Sequence, residues 1–167
     1  MNLNKEYKFI NFDTNKGNKL AYTLSLAVAE QPGRKYLPLF ISGNEKERTH
    51  LMNAISNYVI ELFNYNVLYV NTTEINKIPN NIDVLLIDEL EHLSSTEESK
   101  LIEIIKTFQS NKKQIVLGSD KKLDELSISD KLKEVINWGM SVNIEQNNNK
   151  SKKKNLFDYN WLEDNDE

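Results

Sequence analysis

The sequence of 167 residues contains no cysteine, only five glycines and three prolines, and no apolar stretch as long as a membrane span. The absence of cysteine excludes disulfide bonds and thiolate metal sites. The N-terminus lacks the apolar segment that signal peptides carry, so we expect a cytoplasmic protein that does not enter a membrane. A net charge of −4 disfavours broad, non-specific binding to DNA.

Length and composition predict one globular domain followed by a tail. A chain of this length, 39% hydrophobic, is long enough for a single core. Residues 1–145 carry the apolar periodicity of a domain, whereas residues 146–154 (QNNNKSKKK) are polar and basic, as in a linker. Residues 155–167 (NLFDYNWLEDNDE) form an acidic segment that contains aromatic residues.

Apolar spacing predicts alternating strands and helices along residues 1–145, which is typical of an α/β fold with a parallel sheet. The third predicted strand is too continuously apolar to have a solvated face, and strands alternate with helices throughout, so we expect helices on both faces, as in a three-layer sandwich. Strands are predicted at residues 37–42, 66–70, 84–88, 114–119 and 140–144. Helices are predicted at residues 16–30, 49–63 and 131–138, and after a capping box at residues 95–98.

A degenerate phosphate-binding loop follows the first predicted strand, in the stretch LFISGNEKERTHL. A working loop has two glycines with four residues between them, then a lysine and a serine or threonine. Here Gly43 opens the loop and Thr49 closes it, but the span is one residue short. Glu47 stands in place of the second glycine and Arg48 in place of the lysine.

These changes predict that the loop does not hold ATP. Glu45 and Glu47 bring carboxylates to the place of a polyanion. Two like charges about 4 Å apart repel by roughly 4 kcal/mol at an effective dielectric constant near 20. The alternative is weak binding of ATP or ADP, with Arg48 pairing with the phosphates in place of the lysine.

Asp88 and Glu89 end the third predicted strand and are the candidate metal ligands. Magnesium usually needs phosphate oxygens as well as one or two carboxylates, so we expect metal here only if a nucleotide binds. His50 and His92 could meet near Asp88, but without a fixed ligand spacing the pair is more typical of surface or capping histidines.

Seven segments, in order, together resemble the AAA+ core of the bacterial chromosomal replication initiator family DnaA and its shorter, Hda-like relatives. The resemblance implies a P-loop NTPase core with strand order 5-1-4-3-2. The segments are residues 7–13, 26–43, 48–55, 67–70, 82–93, 113–120 and 130–140.

The resemblance also implies roles for single residues. In the family, the carboxylate matching Asp88 holds magnesium, the one matching Glu89 polarises the attacking water, and the residue matching Asp120 senses the terminal phosphate. Val135 stands where the family has its arginine finger. Residues 71–82 are too short for the family's DNA-engaging insertion, and we expect neither the helical lid nor the helix-turn-helix that follow in the initiators.

The tail carries four candidate contact residues for a partner: Leu156, Phe157, Tyr159 and Trp161. Such a run resembles short hydrophobic motifs that enter a partner's groove, including ligands of the replication sliding clamp. The alternative is that the segment folds back and covers apolar surface of its own domain.

These patterns together predict a non-catalytic, DnaA-related regulator of replication initiation that acts by protein binding. The expected partners are a DnaA-type AAA+ protein, the sliding clamp or the helicase machinery. The alternative function is a weak ATP- or ADP-binding AAA+ protein with little hydrolysis. A small DNA-binding module is disfavoured by the acidic charge balance.

Overall fold

Five parallel strands form one sheet in the computed structural model, which describes residues 3–145. The sheet order is β2-β3-β4-β1-β5, so the predicted order 5-1-4-3-2 is confirmed. The linker and the tail lie outside the described residues. The strands are Leu39–Gly43 (β1), Val67–Asn71 (β2), Val84–Asp88 (β3), Gln114–Ser119 (β4) and Met140–Ile144 (β5).

Four α-helices cover the sheet, two on each face, which confirms the predicted three-layer sandwich. Along β1, Leu39 and Ile41 point into one apolar cluster with α1 and α2, while Phe40 points into the other with α3 and α4. This alternation is the period of two that a strand imposes on its side chains. The helices are Lys19–Glu30 (α1), Glu45–Phe63 (α2), Ser95–Ser110 (α3) and Asp130–Asn137 (α4).

The predicted starts of α1 and β1 are wrong by two or three residues, each for a local reason. Helix α1 begins at Lys19 rather than at residue 16, because the Asn15 side chain accepts hydrogen bonds from the amides of Gly17 and Asn18 and holds a turn there. Strand β1 begins at Leu39 rather than at residue 37, since Pro38 has no amide hydrogen to donate to a neighbouring strand.

Residues 71–82 hold a 3-10 helix, Thr72–Lys77, and a short loop between β2 and β3. Further 3-10 turns lie at Phe9–Asn11, Leu90–His92 and Leu123–Glu125. Within residues 3–145 every helix is too short or too polar to cross a bilayer.

Candidate functional site

A single residue, Asn44, connects strand β1 to helix α2. The expectation of a loop from Gly43 to Thr49 is wrong, because α2 begins at Glu45. The Asn44 side chain accepts a hydrogen bond from the Glu47 amide at 3.0 Å, and the Asn44 carbonyl accepts one from the Arg48 amide at 2.9 Å. This helix cap fixes the first turn in the place where a phosphate-binding loop would run.

Gly43 has a structural role at this junction. Its φ angle of 114° lies in the region that glycine tolerates best, and a Cβ atom there would clash with the carbonyl oxygen of Ile144. The glycine therefore allows the end of β1 to pass close to the end of β5.

Arg48, which the loop motif matches to the phosphate-binding lysine, points into the protein and is only 1% exposed. Its Nε donates to Asp88 Oδ1 at 2.9 Å. Its Nη1 donates to the Gly43 carbonyl at 2.7 Å and to Asp120 Oδ1 at 3.1 Å. The guanidinium thus forms hydrogen bonds with three other predicted site residues, Gly43, Asp88 and Asp120.

Asp88 is as deeply buried as Arg48, and donors reach both of its oxygens. Oδ1 also accepts from the Glu89 amide at 2.7 Å, and Oδ2 accepts from the Tyr69 hydroxyl at 3.4 Å. The carboxylate lies against Gly118 of β4, where a Cβ atom would clash with it. The structure therefore gives this acidic strand end a complete set of protein partners.

The network continues to the surface through Asp120. Its amide donates to Glu91 Oε1 at 2.9 Å, and its side chain remains 58% exposed. We call the five residues with these contacts the Arg48 cluster: Arg48, Tyr69, Asp88, Glu91 and Asp120.

Burial and charge act against each other on the titratable groups of the Arg48 cluster. Burial raises the pKa of the Asp88 carboxyl, although the Arg48 charge and the Glu89 amide oppose the rise. Burial alone would lower the pKa of Arg48, but Asp88 and Asp120 outweigh it, so the pKa is raised and the guanidinium stays charged. Burial and the nearby Asp88 charge raise the pKa of the Tyr69 phenol above its ordinary value.

The residues present do not fit a magnesium–nucleotide complex. A cleft of about 360 Å³ beside the Arg48 cluster is lined by the carboxylates of Glu45, Asp120 and Glu125 and by one cation, Lys122. The cation that could face a phosphate, Arg48, is sequestered, and the carboxylate that could hold magnesium is already its partner. Such a surface repels a polyanion.

Two other predicted nucleotide or metal residues, Thr49 and Glu89, form no side-chain hydrogen bond with the Arg48 cluster among the described residues. The Thr49 hydroxyl donates to the Glu45 carbonyl within α2, and Glu89 has a φ angle of 65°, in the left-handed region, at the end of β3. The Glu47 carboxylate accepts a hydrogen bond from the buried Asn18 side chain at 3.3 Å. The described residues contain no group of three or more acidic or histidine side chains placed to hold a metal ion.

The two histidines are not brought together. The His50 ring stacks on Tyr7 with centroids 4.8 Å apart, and its Nε2 lies 2.8 Å from the Lys8 carbonyl. The exposed His92 lies 3.6 Å from Glu91. Neither ring contacts Asp88 among the described residues, so the two histidines form no joint site with that carboxylate.

Sequence reasoning missed Tyr69, Glu91 and Gly118. Each meets the Arg48 cluster from a different strand or turn, and no local motif marks such a contact. Val135 of α4, at the arginine-finger position, is 1% exposed and packs in the core. The candidate partner residues Leu156, Phe157, Tyr159 and Trp161 lie outside the described residues.

Comparison with curated proteins finds replication initiators. Chromosomal replication initiator protein DnaA of Lachnoclostridium phytofermentans is 36% identical over 166 residues, covering 86% of this chain and 37% of that protein. DnaA of Limosilactobacillus reuteri is 38% identical over 164 residues, covering 85% and 37%. The chain thus spans a little over a third of the length of these relatives.

Solved structures agree with the sequence relatives. Domain III of the Thermotoga maritima initiator DnaA superposes with a TM-score of 0.81 at 28% identity, covering 92% of this chain and 73% of that one. AMPPCP-bound DnaA from Aquifex aeolicus gives 0.81 at 28% identity, covering 96% and 58%. The family described as the bacterial DnaA ATPase domain matches residues 3–78 and 72–143. This chain belongs to the bacterial DnaA ATPase domain family.

Proposed function

We propose that this domain is a non-catalytic member of the DnaA family, which takes part in replication initiation by contacting other proteins. The observation that carries the proposal is the position of Arg48. Its guanidinium lies between Asp88, Asp120 and the Gly43 carbonyl, in the place of the lysine that would bind phosphate. The proposed partners are a DnaA-type AAA+ protein, the sliding clamp or the helicase machinery.

Recruiting Arg48 to a nucleotide would break a buried ion pair. Removing one member of such a pair typically costs about 3–5 kcal/mol, because the other charge is left buried without compensation. A nucleotide would have to supply this free energy and also overcome the carboxylates of Glu45, Asp120 and Glu125 that line the cleft. Nucleotide binding in the micromolar range is therefore not expected.

Nucleotide titration tests this part of the proposal. A fluorescent ATP analogue should give no saturable signal with this chain at millimolar magnesium, whereas Aquifex aeolicus DnaA, solved with the ATP analogue AMPPCP, is the positive control. Lys106→Ala removes one positive charge at an exposed site on α3. A lower signal in this variant than in wild type would indicate non-specific attraction of the dye. Saturable, magnesium-dependent binding with a micromolar Kd would replace the proposal with the weak ATP- or ADP-binding alternative.

Direct binding to purified replication proteins tests the other part. The chain is immobilised and presented in turn with the initiator, the sliding clamp and the helicase loader from the same source at physiological salt. At least one should bind, with a Kd that is unchanged by ATP. An unrelated domain of equal net charge is the control, and failure of all three partners contradicts the proposal.

Single-stranded DNA is the remaining ligand to test, because a solved DnaA is described as bound to AMPPCP and single-stranded DNA. In this chain the segment between β2 and β3 offers only one basic residue in its 3-10 helix, Lys77. The expected result is no mobility shift of single-stranded DNA at physiological salt. A shift that weakens steeply with added salt would indicate phosphate contacts and count against the proposal.

A further inference from the structure

An open groove of about 320 Å³ lies between edge strand β5 and helix α4. Its lining includes Phe40 of β1, Ser141 and Asn143 of β5, and Asn137 of α4. The groove exists because Ser141 and Asn143 point towards α4, while Val142 and Ile144 pack in the cluster on the opposite face. Two short polar side chains therefore leave space that a larger side chain would fill.

Strand β5 is also an edge of the sheet. It pairs with β1 on one side and, within residues 3–145, has no strand on the other, although the Glu145 amide just past its end donates to the Gly17 carbonyl at 3.0 Å. Beside it Trp138 is 51% exposed and Met140 is 37% exposed. Proteins normally cover or blunt an edge of this kind, since its unpaired backbone groups can pair with another strand.

The lining of the groove carries a net positive charge, although Lys122 also lines the neighbouring acidic cleft. Lys122 and Lys133 line the groove, and neither ammonium group has a carboxylate within 4.0 Å among the described residues. The only acidic residue of the lining is Asp124. The groove therefore suits an acidic segment with large apolar side chains.

The tail has this chemistry. Phe157, Tyr159 and Trp161 alternate with Asp158 and Asn160, which is the period-two pattern of a strand. Four more acidic residues follow within residues 163–167. In an added strand, the three aromatic side chains would all point to the same face of the sheet.

The tail can also reach the groove. Residues 145–155 lie between the end of β5 and the first apolar residue of the tail. Eleven residues extend over at most roughly 40 Å, whereas a strand of five residues spans only about 17 Å. The linker is therefore long enough to turn and return antiparallel to β5.

We propose that residues 155–167 add to edge strand β5 of their own chain and place aromatic side chains in the groove between β5 and α4. The backbone pairing covers the free edge, and Lys122 and Lys133 attract the acidic residues of the tail. Such strand addition takes its affinity from main-chain hydrogen bonds and its specificity from side-chain pockets. The inference stands independently of the proposed absence of nucleotide binding.

Tryptophan fluorescence of the full-length chain is the first test. The sequence has two tryptophans, so Trp138→Phe leaves Trp161 as the only reporter. Its emission should be blue-shifted and its quenching by acrylamide several-fold weaker than in the denatured chain. Emission and quenching equal to those of the denatured chain would overturn the proposal.

Charge reversal localises the docking site. In the Trp138→Phe background, Lys122→Glu combined with Lys133→Glu should raise the quenching of Trp161 to the denatured value at moderate salt. Lys35→Glu combined with Lys106→Glu changes the charge equally at exposed sites that do not line the groove, and should leave the quenching unchanged. Equal effects of the two pairs would overturn the assigned groove.

Two further measurements exclude misfolding and a second copy as explanations. Replacing Phe157, Tyr159 and Trp161 by asparagine in the full chain should increase hydrogen exchange in β5 and leave the other edge strand, β2, unchanged. Because the chain has no cysteine, Asn137→Cys with Tyr159→Cys should form an intramolecular disulfide that Lys106→Cys with Tyr159→Cys does not. Protection of Trp161 or β5 that appears only at high protein concentration would assign the tail to a neighbouring copy and overturn the proposal.

Discussion

The carboxyl ends of β1 and β3 lie at the same edge of the sheet, separated by β4, and they differ in how much of the nucleotide-site pattern they keep. The end of β3 keeps the acidic pair Asp88 and Glu89, whereas the end of β1 passes through Asn44 directly into a helix. The two ends meet in the ion pair between Arg48 and Asp88. The comparison teaches that a substituted residue, Arg48, can become the partner of a carboxylate that the strand end retains.

The largest expected effect comes from breaking the link between the two strand ends. Arg48→Met leaves Asp88 buried without a cation and should lower the free energy of unfolding by about 3–5 kcal/mol. Arg48→Met combined with Asp88→Asn removes both charges and should recover most of that loss. Urea denaturation of the two single variants and the double variant measures the coupling.

The control is Lys106→Met, the same kind of change at an exposed position, which should alter stability by less than about 0.5 kcal/mol. If Arg48→Met does not fold, folding of the double variant would still show that the unpaired Asp88 carboxylate causes the loss. A loss as small as that of the control would mean that the ion pair does not hold the two ends together.

The next prediction compares the backbone conformations at the ends of β1 and β3. Gly43→Ala should destabilise the protein by about 1–3 kcal/mol, because φ is 114° there and the Ile144 carbonyl oxygen blocks a Cβ atom. Glu89 at the end of β3 already has a side chain in the left-handed region, so Glu89→Gly should stabilise by up to about 1 kcal/mol. Thermal unfolding of both variants tests for opposite signs; equal signs would contradict this account of the junction.

A smaller effect should follow from removing the cap of α2. Asn44→Ala deletes the acceptor for the Glu47 amide and should cost about 1 kcal/mol. Ser129→Ala is the matched change, because the Ser129 hydroxyl caps α4 through the Leu132 amide at 3.2 Å. Chemical denaturation should give similar losses; a negligible loss for Asn44→Ala alone would indicate that other contacts fix the start of α2.

An effect of similar size concerns Tyr69 and appears only in alkali. The pKa of this phenol is raised in the folded protein, so the folded state keeps a proton that the unfolded chain releases near pH 10. Stability is therefore lost as the pH rises above about 10, and Tyr69→Phe should lose about 1 kcal/mol less than wild type between pH 9 and 11. Tyr65→Phe, which changes a more exposed phenol, is the control; identical slopes for wild type and Tyr69→Phe would contradict the assignment.

The strands and their order followed from the sequence because each is a short apolar run between helical patterns, and β3 and β4 are apolar enough to require burial on both faces. The start of α2 did not follow, since Glu45 to Arg48 are good helix formers that the loop motif assigned to a turn. The partners of Asp88 come from Tyr69, Arg48 and Gly118, which lie far apart in the chain. Local periodicity carries no information on such contacts. The motif therefore suggested Asp88 as a magnesium ligand, whereas the fold pairs it with the Arg48 side chain.

The strand order also determines the sequence in which strands can pair while the chain is being synthesised. Strand β1 pairs with β4 and β5, about 80 and 100 residues further along the chain, whereas β2 pairs with β3 after a short connection. The β2–β3 pair can form early, but β1 must wait with its apolar side chains unpaired until nearly all of the domain has left the ribosome. At about 5–20 residues per second this interval lasts several seconds, during which the apolar side chains of β1 have no sheet partner.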